Sequence, residues 1–279
     1  NIPYELLKDL DLKLVKVIDT HIHADHVTGA SKLKDITKCS TIMGAHTPAE
    51  SVEIKVKDDD YINLDNIKMK EMTEWWVASG LGSNTAALKV LAAMGEGPDI
   101  NDDEWPKVLD TVVKAAGSDK IVLCALKSKN TLHTIEDAKK AQDVGIIGLQ
   151  IDLPFYHHPN QDDYVRYFTD ISDSIDIGIM IYNTYFHGAP SIKAETMLRL
   201  VDTEHVVAIK WNTPPNEDFN EMTKFSHEFN VINNGGDMIQ FHKNGGKGTQ
   251  SSIAPACPKY ALDSWDLLEA NETKKAQPE

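Results

Sequence analysis

The sequence predicts an α/β protein, a (β/α)8 TIM barrel preceded by a separate N-terminal segment, on three observations. From about residue 51 onward, short β-branched runs alternate regularly with amphipathic or charged stretches, the rhythm of βα units on a parallel sheet. There are eight such runs, the number that closes a barrel of this kind. The glycine-rich phosphate loop of an open doubly wound sheet is missing: "SGLGSN" at 79–84 has glycines two apart and no third.

The strand runs cover 52–56, 87–92, 121–125, 147–153, 177–182, 206–210, 231–234 and 248–253. Most are rich in Val, Ile, Leu and Ala, as strands buried on both faces require. Between them the helical period predicts helices over 64–79, 103–116, 135–144, 161–174, 192–201 and 216–229, several opening on Asp, Asn, Ser or Thr where a cap belongs. We expect an N-terminal unit over 1–50, with an alternative boundary near 72, and a barrel over 51–279.

A chain of 279 residues with 41% hydrophobic content can bury a sizeable core. Its net charge of −15 and pI of about 5.1 argue against nucleic-acid and anionic-membrane partners. Three scattered cysteines, Cys39, Cys124 and Cys257, lack metal-type spacing and predict a reduced, cytoplasmic protein without disulfides. No apolar run is long enough to span a bilayer and no signal-peptide pattern is present.

In a barrel, chemistry belongs at the C-terminal strand ends. Lys210 ends the apolar run "VVAIK", Tyr182 ends the run before "NTYF", and Tyr156 follows the fourth run in "DLPFYHHP". A buried lysine is costly unless it is paired or neutral. Alone, Lys210 reads either as the partner of a structural carboxylate or as an amine, desolvated by its neighbours Val207 and Ile209, that attacks a ketone. The tyrosines alone read as packing residues or as proton shuttles.

Taken together, these residues resemble the dihydrodipicolinate synthase and N-acetylneuraminate lyase family of pyruvate-dependent class I aldolases, over roughly residues 73 to 265. "YN" at Tyr182 and "IK" at Lys210 stand 28 positions apart, the family's spacing, and "LPFY" keeps Tyr156 in step with them. "AAMGEG" at 92–97 stands where the family has "GTTGE", and "NNGGD" and "NGGKG" resemble its last two strand turns. The resemblance implies that Lys210 forms a Schiff base, that Tyr182 shuttles a proton and that Tyr156 is its relay partner. It further implies that Ala93, Met94, Gly95 and Gly236 line the site of a 2-oxo acid. No cofactor is implied, the partner is a small 2-oxo acid such as pyruvate, and the protein is a homo-oligomer.

Two departures stand out. Ala93 and Met94 replace the hydroxyl pair of the turn, leaving backbone N–H groups to bind the carboxylate. His187 stands five residues beyond Tyr182, where synthases acting on aspartate semialdehyde place an arginine, so an acceptor other than that aldehyde is expected.

The front of the chain carries a different signal. "LKLVKVIDTHIHADHVTGA" at 12–30 runs an apolar strand into His21, His23, Asp25 and His26, four ligand side chains in six residues, a pattern that suits zinc or iron. With "GAHTPAE" and "VKDDDYINLDNIKMK", residues 12–69 resemble part of the metallo-β-lactamase superfamily, nearest its persulfide dioxygenase-like branch. "EMTEWWVASG" then follows where that family supplies a further histidine, so an incomplete site is expected. Three readings result: a Schiff-base lyase or aldolase, a metal-dependent hydrolase or dioxygenase, and a degenerate barrel that binds a 2-oxo acid without turnover.

Overall fold

The computed structural model describes residues 13–18, 29–57, 69–83, 86–92, 97–127, 129–214 and 217–272. It divides into two units, Asn1–Ile67 and Lys68–Glu279.

The first unit holds a parallel three-stranded sheet of β1 (Lys16–Ile18), β2 (Ser40–Gly44) and β3 (Ile54–Val56), with α1 (Ala30–Thr37) between the first two. Ile42 and Met43 of the central strand are buried. The Thr41 hydroxyl donates to the Ser51 carbonyl at 3.0 Å and accepts from the Glu53 amide at 3.2 Å, fastening β2 to the approach of β3. Here the sequence expectation is corrected. The run at 52–56 is not the first barrel strand but an edge strand of this small sheet, with Ile54 opposite Ile42. The reason is its one-sided composition: Glu53 and Lys55 alternate with apolar residues, which suits a partly solvated edge rather than a strand covered on both faces.

The second unit carries a seven-stranded, all-parallel sheet in the order β10-β9-β8-β7-β6-β5-β4, so each strand lies beside its sequence neighbour. The strands are β4 (Leu88–Val90), β5 (Val122–Leu126), β6 (Gly148–Asp152), β7 (Gly178–Tyr182), β8 (Val206–Trp211), β9 (Asn230–Asn233) and β10 (Gly248–Thr249). The helices are α2 (Met69–Ala78), α3 (Trp105–Ala116), α4 (Thr131–Val144), α5 (Gln161–Ser172), α6 (Ala194–Arg199), α7 (Met238–Lys243) and α8 (Pro258–Glu269). The sheet curls on itself: Lys89 in β4 donates a hydrogen bond to Gln250, the residue after β10, at the far end of the strand order. A cleft of about 330 Å³, lined by Leu88, Lys89, Gln250, Leu262 and Trp265 among others, lies between these two ends.

The main core lies between sheet and helices, where Leu149, Ile151, Ile179, Ile181, Ile209 and Trp211 meet Leu109, Val112, Phe168, Ile171 and Phe225. Helix starts are fixed locally. Asn130 caps α4 by accepting from the His133 amide at 3.0 Å, and Asn160 opens α5 in a reciprocal box with Asp163. The expected helix over 216–229 is instead a 3-10 turn over Phe219–Lys224, begun by the Asp218 side chain accepting from the Asn220 amide at 2.9 Å. A carboxylate that binds the backbone two residues on competes with the α-helical ladder. The last strand run is cut to Gly248–Thr249, and Ser251 then turns the chain by accepting from the Ala254 amide.

One irregularity sets the phase of the inner face of β8. β7 and β8 pair Ile179 with Val206 and then Met180 with Ala208, leaving Val207 as an extra, exposed residue. Gly178 makes room for it: a Cβ there would sit 3.0 Å from Val207 Cγ2. Because side chains alternate, this bulge returns Ile209 and Trp211 to the helix side and turns Ala208 and Lys210 inward. Val207 and Ile209 therefore do not desolvate the Lys210 amine, contrary to the sequence reading. They occupy other positions on the strand, and the interior groups do so instead.

Candidate active site

Three adjacent strands place one row of side chains on the inner face. Asp152 ends β6, Tyr182 ends β7, and Lys210 lies in β8; Asp152 is directly opposite Tyr182, and Tyr182 directly opposite Lys210. In a parallel pair, opposed residues point to the same face, so register alone gathers a carboxylate, a phenol and an amine. Lys210 is only 6% exposed, and its Nζ lies 3.8 Å from the centroid of the Tyr182 ring. The ammonium is thus held against the aromatic face, while the Tyr182 hydroxyl points away and donates to Asn234 Oδ1 at 3.3 Å.

Lys89 enters the same interior from β4. It donates to Gln150 Oε1 at 2.6 Å as well as to Gln250, and Gln150 is 2% exposed. The Lys89 and Lys210 amines interact side chain to side chain.

Burial dominates the electrostatics. Desolvation pulls the Lys210 ammonium down to about 8, opposed by the Asp152 carboxylate and by the hydrogen bond with Lys89. Lys89 is pulled down to about 7, by desolvation first and then by the Lys210 charge, with Asp152 opposing. Asp152 is pushed up to about 6 by burial, against the attraction of His187, Lys210 and Lys89. The Tyr182 phenol is raised, chiefly by burial. An amine that reaches its neutral form near neutral pH, facing into a cleft, is equipped to attack a carbonyl carbon.

The sheet-end loops are held by residues with no chemical part. Asn183, fully buried, donates from Nδ2 to the Ser191 hydroxyl at 3.1 Å and to the Asn212 carbonyl at 3.3 Å, and accepts from the Ile192 amide at 3.2 Å. It thereby ties the end of β7 to the end of β8. Thr184 accepts from the Leu153 amide at 3.1 Å and ties the end of β7 to that of β6.

Of the residues singled out in the sequence, Lys210 and Tyr182 come together. Tyr156 does not join them: it is 81% exposed, its ring is 4.9 Å edge-on from His157, and it lines an outer cleft with Phe155, Arg166 and Tyr167. No hydrogen bond links it to Tyr182 among the described residues, and the Tyr182 hydroxyl is directed to Asn234 instead. The chain leaves the interior at Pro154 and turns outward through His158, whose φ is +48°. His187 is exposed in the 3-10 turn Tyr185–His187, against the Phe186 ring at 4.6 Å, and acts on the site through the charge of Asp152. Gly236 lies in the turn after β9 with φ +91°, a conformation that favours glycine. Ala93, Met94 and Gly95 lie outside the described residues, as do His21, His23, Asp25 and His26. On either side of the first three, Gly97 donates to the Ala92 carbonyl at 3.2 Å, and a Cβ on Gly97 would fall on the Leu91 carbonyl. No metal-binding cluster occurs among the described residues.

Lys89, Gln150, Asp152 and Asn234 were not singled out from the sequence. The signal for Lys89 is present in "ALKVLA", a charge alone in an apolar strand run, the same signal that marks Lys210.

The chain as a whole has counterparts among known proteins. The dihydrodipicolinate synthetase family profile matches residues 53–278. The chain belongs to that family. 4-Hydroxy-tetrahydrodipicolinate synthase 1 of Halalkalibacterium halodurans is 34% identical over 153 residues, 55% of this chain and 50% of that protein. The 4-hydroxy-tetrahydrodipicolinate synthase of Geobacter metallireducens is 28% identical over 216 residues, 77% of this chain and 73% of that protein. Among solved structures, dihydrodipicolinate synthase from Aquifex aeolicus superposes with a TM-score of 0.67 at 24% identity, covering 75% of this chain and 71% of that one, a likeness of fold. The chain thus spans half the length of the first of these relatives. Dihydrodipicolinate synthetase membership agrees with the Schiff-base lyase reading and gives no support to the metal-dependent hydrolase.

Proposed function

We propose that the protein is a cofactor-free lyase or aldolase in which Lys210 forms a Schiff base with pyruvate or a related 2-oxo acid. The observation that carries this reading is the Lys210 amine, buried on the inner face, drawn down to about 8 and stacked on Tyr182. The neutral amine adds to the oxo carbon to form a C–N bond. The oxo oxygen, protonated, leaves as water, and the resulting iminium carries the positive charge. The iminium withdraws electrons, so that a proton or a carbon fragment departs from the adjacent carbon and its electron pair enters the enamine. Tyr182 is the proton carrier in this scheme, its hydroxyl linked to Asn234. Asp152 supplies the negative charge that steadies the cationic intermediate, and the backbone of the turn at Ala93, Met94 and Gly95 takes the substrate carboxylate.

His187, exposed beside the site, replaces a fixed guanidinium, so the second substrate or leaving fragment is proposed to be an aldehyde or sugar acid rather than aspartate semialdehyde. A homo-oligomer is proposed from family resemblance. For the first unit, the metallo-β-lactamase likeness of residues 12–69 is retained as a proposal of weak metal affinity.

The test is borohydride reduction of the protein in the presence of pyruvate, followed by mass spectrometry of the Lys210 peptide. A mass increase matching the reduced pyruvate adduct on Lys210 is expected. Absence of an adduct with pyruvate and with several 2-oxo sugar acids would make Lys210 a structural ion-pair partner.

A further inference from the structure

The Tyr182 hydroxyl is held by a residue from two strands away. It donates to Asn234 Oδ1 at 3.3 Å, its single hydrogen bond among the described residues, although Asn234 follows β9 and β8 runs between them. Both residues are anchored on β8 through the backbone. The amide of Asn183, next to Tyr182, donates to the Lys210 carbonyl at 3.1 Å, and the Asn234 amide donates to the Trp211 carbonyl at 3.0 Å. Just before Asn234, the buried Asn233 turns the chain, its Oδ1 accepting from the Gly235 amide at 2.8 Å. Backbone contacts and a neighbour thus set Asn234 beside the end of the strand that carries Lys210, independently of its own side chain.

The Asn234 side chain is left with one contact. It is half-buried, its Oδ1 meets Tyr182, and its Nδ2 has no hydrogen-bond partner among the described residues. An amide joins an acceptor and a donor in one plane, so a half-turn about its last bond exchanges Oδ1 for Nδ2. Oδ1 suits the phenol, whose O–H donates; Nδ2–H suits the phenolate, which only accepts. The contact is long for an O–H···O bond, and a hydrogen bond to the charged form is shorter. Burial is the chief cause that raises the Tyr182 phenol; the Asn234 contact opposes it, and Asp152 adds to it.

We propose that Asn234 is a positioning residue for the reaction: it aims the Tyr182 hydroxyl and partners it both as phenol and as phenolate, so that Tyr182 exchanges a proton with the carbon beside the Lys210 iminium. This rests on the lyase reading of Lys210. In that step the C–H bond breaks, the proton passes to the phenolate oxygen, and the electron pair enters the enamine and neutralises the iminium nitrogen. The phenol then gives a proton to solvent, which renews the phenolate. An amide neither takes nor supplies a proton near neutral pH, so Asn234 acts only through Tyr182. The charged groups around the phenol are Asp152 on β6 and Lys210 on β8, with His187 and Lys89 acting on Asp152, and none of them depends on the side chain at 234.

The test uses pyruvate alone, on the intact chain. Exchange of its methyl protons with deuterated water, followed by NMR, reports proton removal beside the iminium, and borohydride trapping reports the iminium itself. Asn234→Ala is expected to slow exchange roughly tenfold and to leave trapping at the wild-type rate. In Tyr182→Phe the added Asn234→Ala change is expected to cost nothing further, because the hydroxyl through which it acts is gone. Wild-type exchange in Asn234→Ala, or the same fold loss in both backgrounds, overturns the proposal. Should Asn234→Ala fail to fold, the isosteric Asn234→Asp keeps the acceptor and removes the donor to the phenolate. Its ratio of exchange to trapping is expected to fall, and a wild-type ratio overturns the proposal. A measurement without substrate separates this inference from the lyase reading. The Tyr182 Cζ resonance of the 13C-tyrosine-labelled protein, assigned by its loss in Tyr182→Phe, is followed into alkaline pH. A higher midpoint in Asn234→Ala than in wild type is expected, and superimposable curves overturn the proposal. Missing adducts on wild-type Lys210 count against the lyase reading, while the phenol titration decides the Asn234 contact separately.

Discussion

Lys210 Nζ lies 3.8 Å from the centroid of the Tyr182 ring, and the two residues are directly opposed on β8 and β7. The amine meets the ring face, and the hydroxyl is engaged elsewhere, with Asn234. The ring and the hydroxyl can therefore be separated by mutation. Lys210→Ala is expected to abolish both turnover and trapping. Tyr182→Phe keeps the ring beneath the amine and removes the proton carrier, so turnover falls about 10²- to 10⁴-fold while borohydride trapping persists. Equal loss of trapping and turnover in Tyr182→Phe would show that the hydroxyl acts before imine formation.

The depressed lysines make stability depend on pH in a definite direction. In the unfolded chain Lys210 holds its proton up to the ordinary lysine range, whereas folded it releases it near 8. Between these values the unfolded state binds more protons, so the Lys210 contribution to stability rises with pH over that window. Lys210→Met removes the penalty of burying the ammonium. Its stability gain over wild type, measured by urea denaturation, is expected to reach up to about 3 kcal/mol at pH 7 and to shrink as pH approaches 10. A gain that is independent of pH would place its origin in packing alone.

Asn183 is a stability residue at the active-site rim. Asn183→Ala removes two donor contacts and two acceptor contacts, one of the latter from the Ser191 hydroxyl, and leaves the Ile192 amide unpaired in a buried place. A loss of about 1–3 kcal/mol in denaturant unfolding is expected. Turnover should fall in the same variant, because the ends of β7 and β8 carry Tyr182 and Lys210. A variant with wild-type stability would assign the hydrogen bonds no net value.

Aspartate semialdehyde should be a poor partner for pyruvate here. An exposed histidine at 187 is neither permanently charged nor forked, unlike the arginine expected of a synthase. Replacing His187 with arginine should improve condensation with that aldehyde in a coupled assay. Efficient condensation by the unaltered protein would contradict this expectation.

Metal should bind weakly. Elemental analysis of the purified protein is expected to give substoichiometric zinc and iron, because the ligands at His21, His23, Asp25 and His26 lack the later histidines of the superfamily pattern. One or two tightly held ions per chain, lost together with activity in His21→Ala, would restore the hydrolase reading.

Most of the strand runs from 87 onward, most of the helices between them and the Tyr182–Lys210 pair were legible in the sequence, because apolar periodicity and motif spacing are local properties of the chain; the helix expected over 216–229 and the length of the last strand were not. What sequence reading missed was non-local. The run at 52–56 has the composition of a strand, but its choice of Ile42 as neighbour rather than a barrel strand is settled only by tertiary pairing. Tyr156 keeps the spacing of a relay residue, and yet the turn after Pro154 carries it outward. The burial of Lys210 was expected from Val207 and Ile209, but the Val207 bulge, visible only in the register of β7 against β8, decides which side chains share its face. Lys89 and Asp152 stand far from one another and from Lys210 along the sequence, where they read only as unrelated charges; strand register and the curl of the sheet bring them to one interior. The sequence by itself determined which residue types were available and the period on which they alternate. Tertiary structure decided which of them meet, because register, bulges and curl depend on contacts between distant segments that no local pattern encodes.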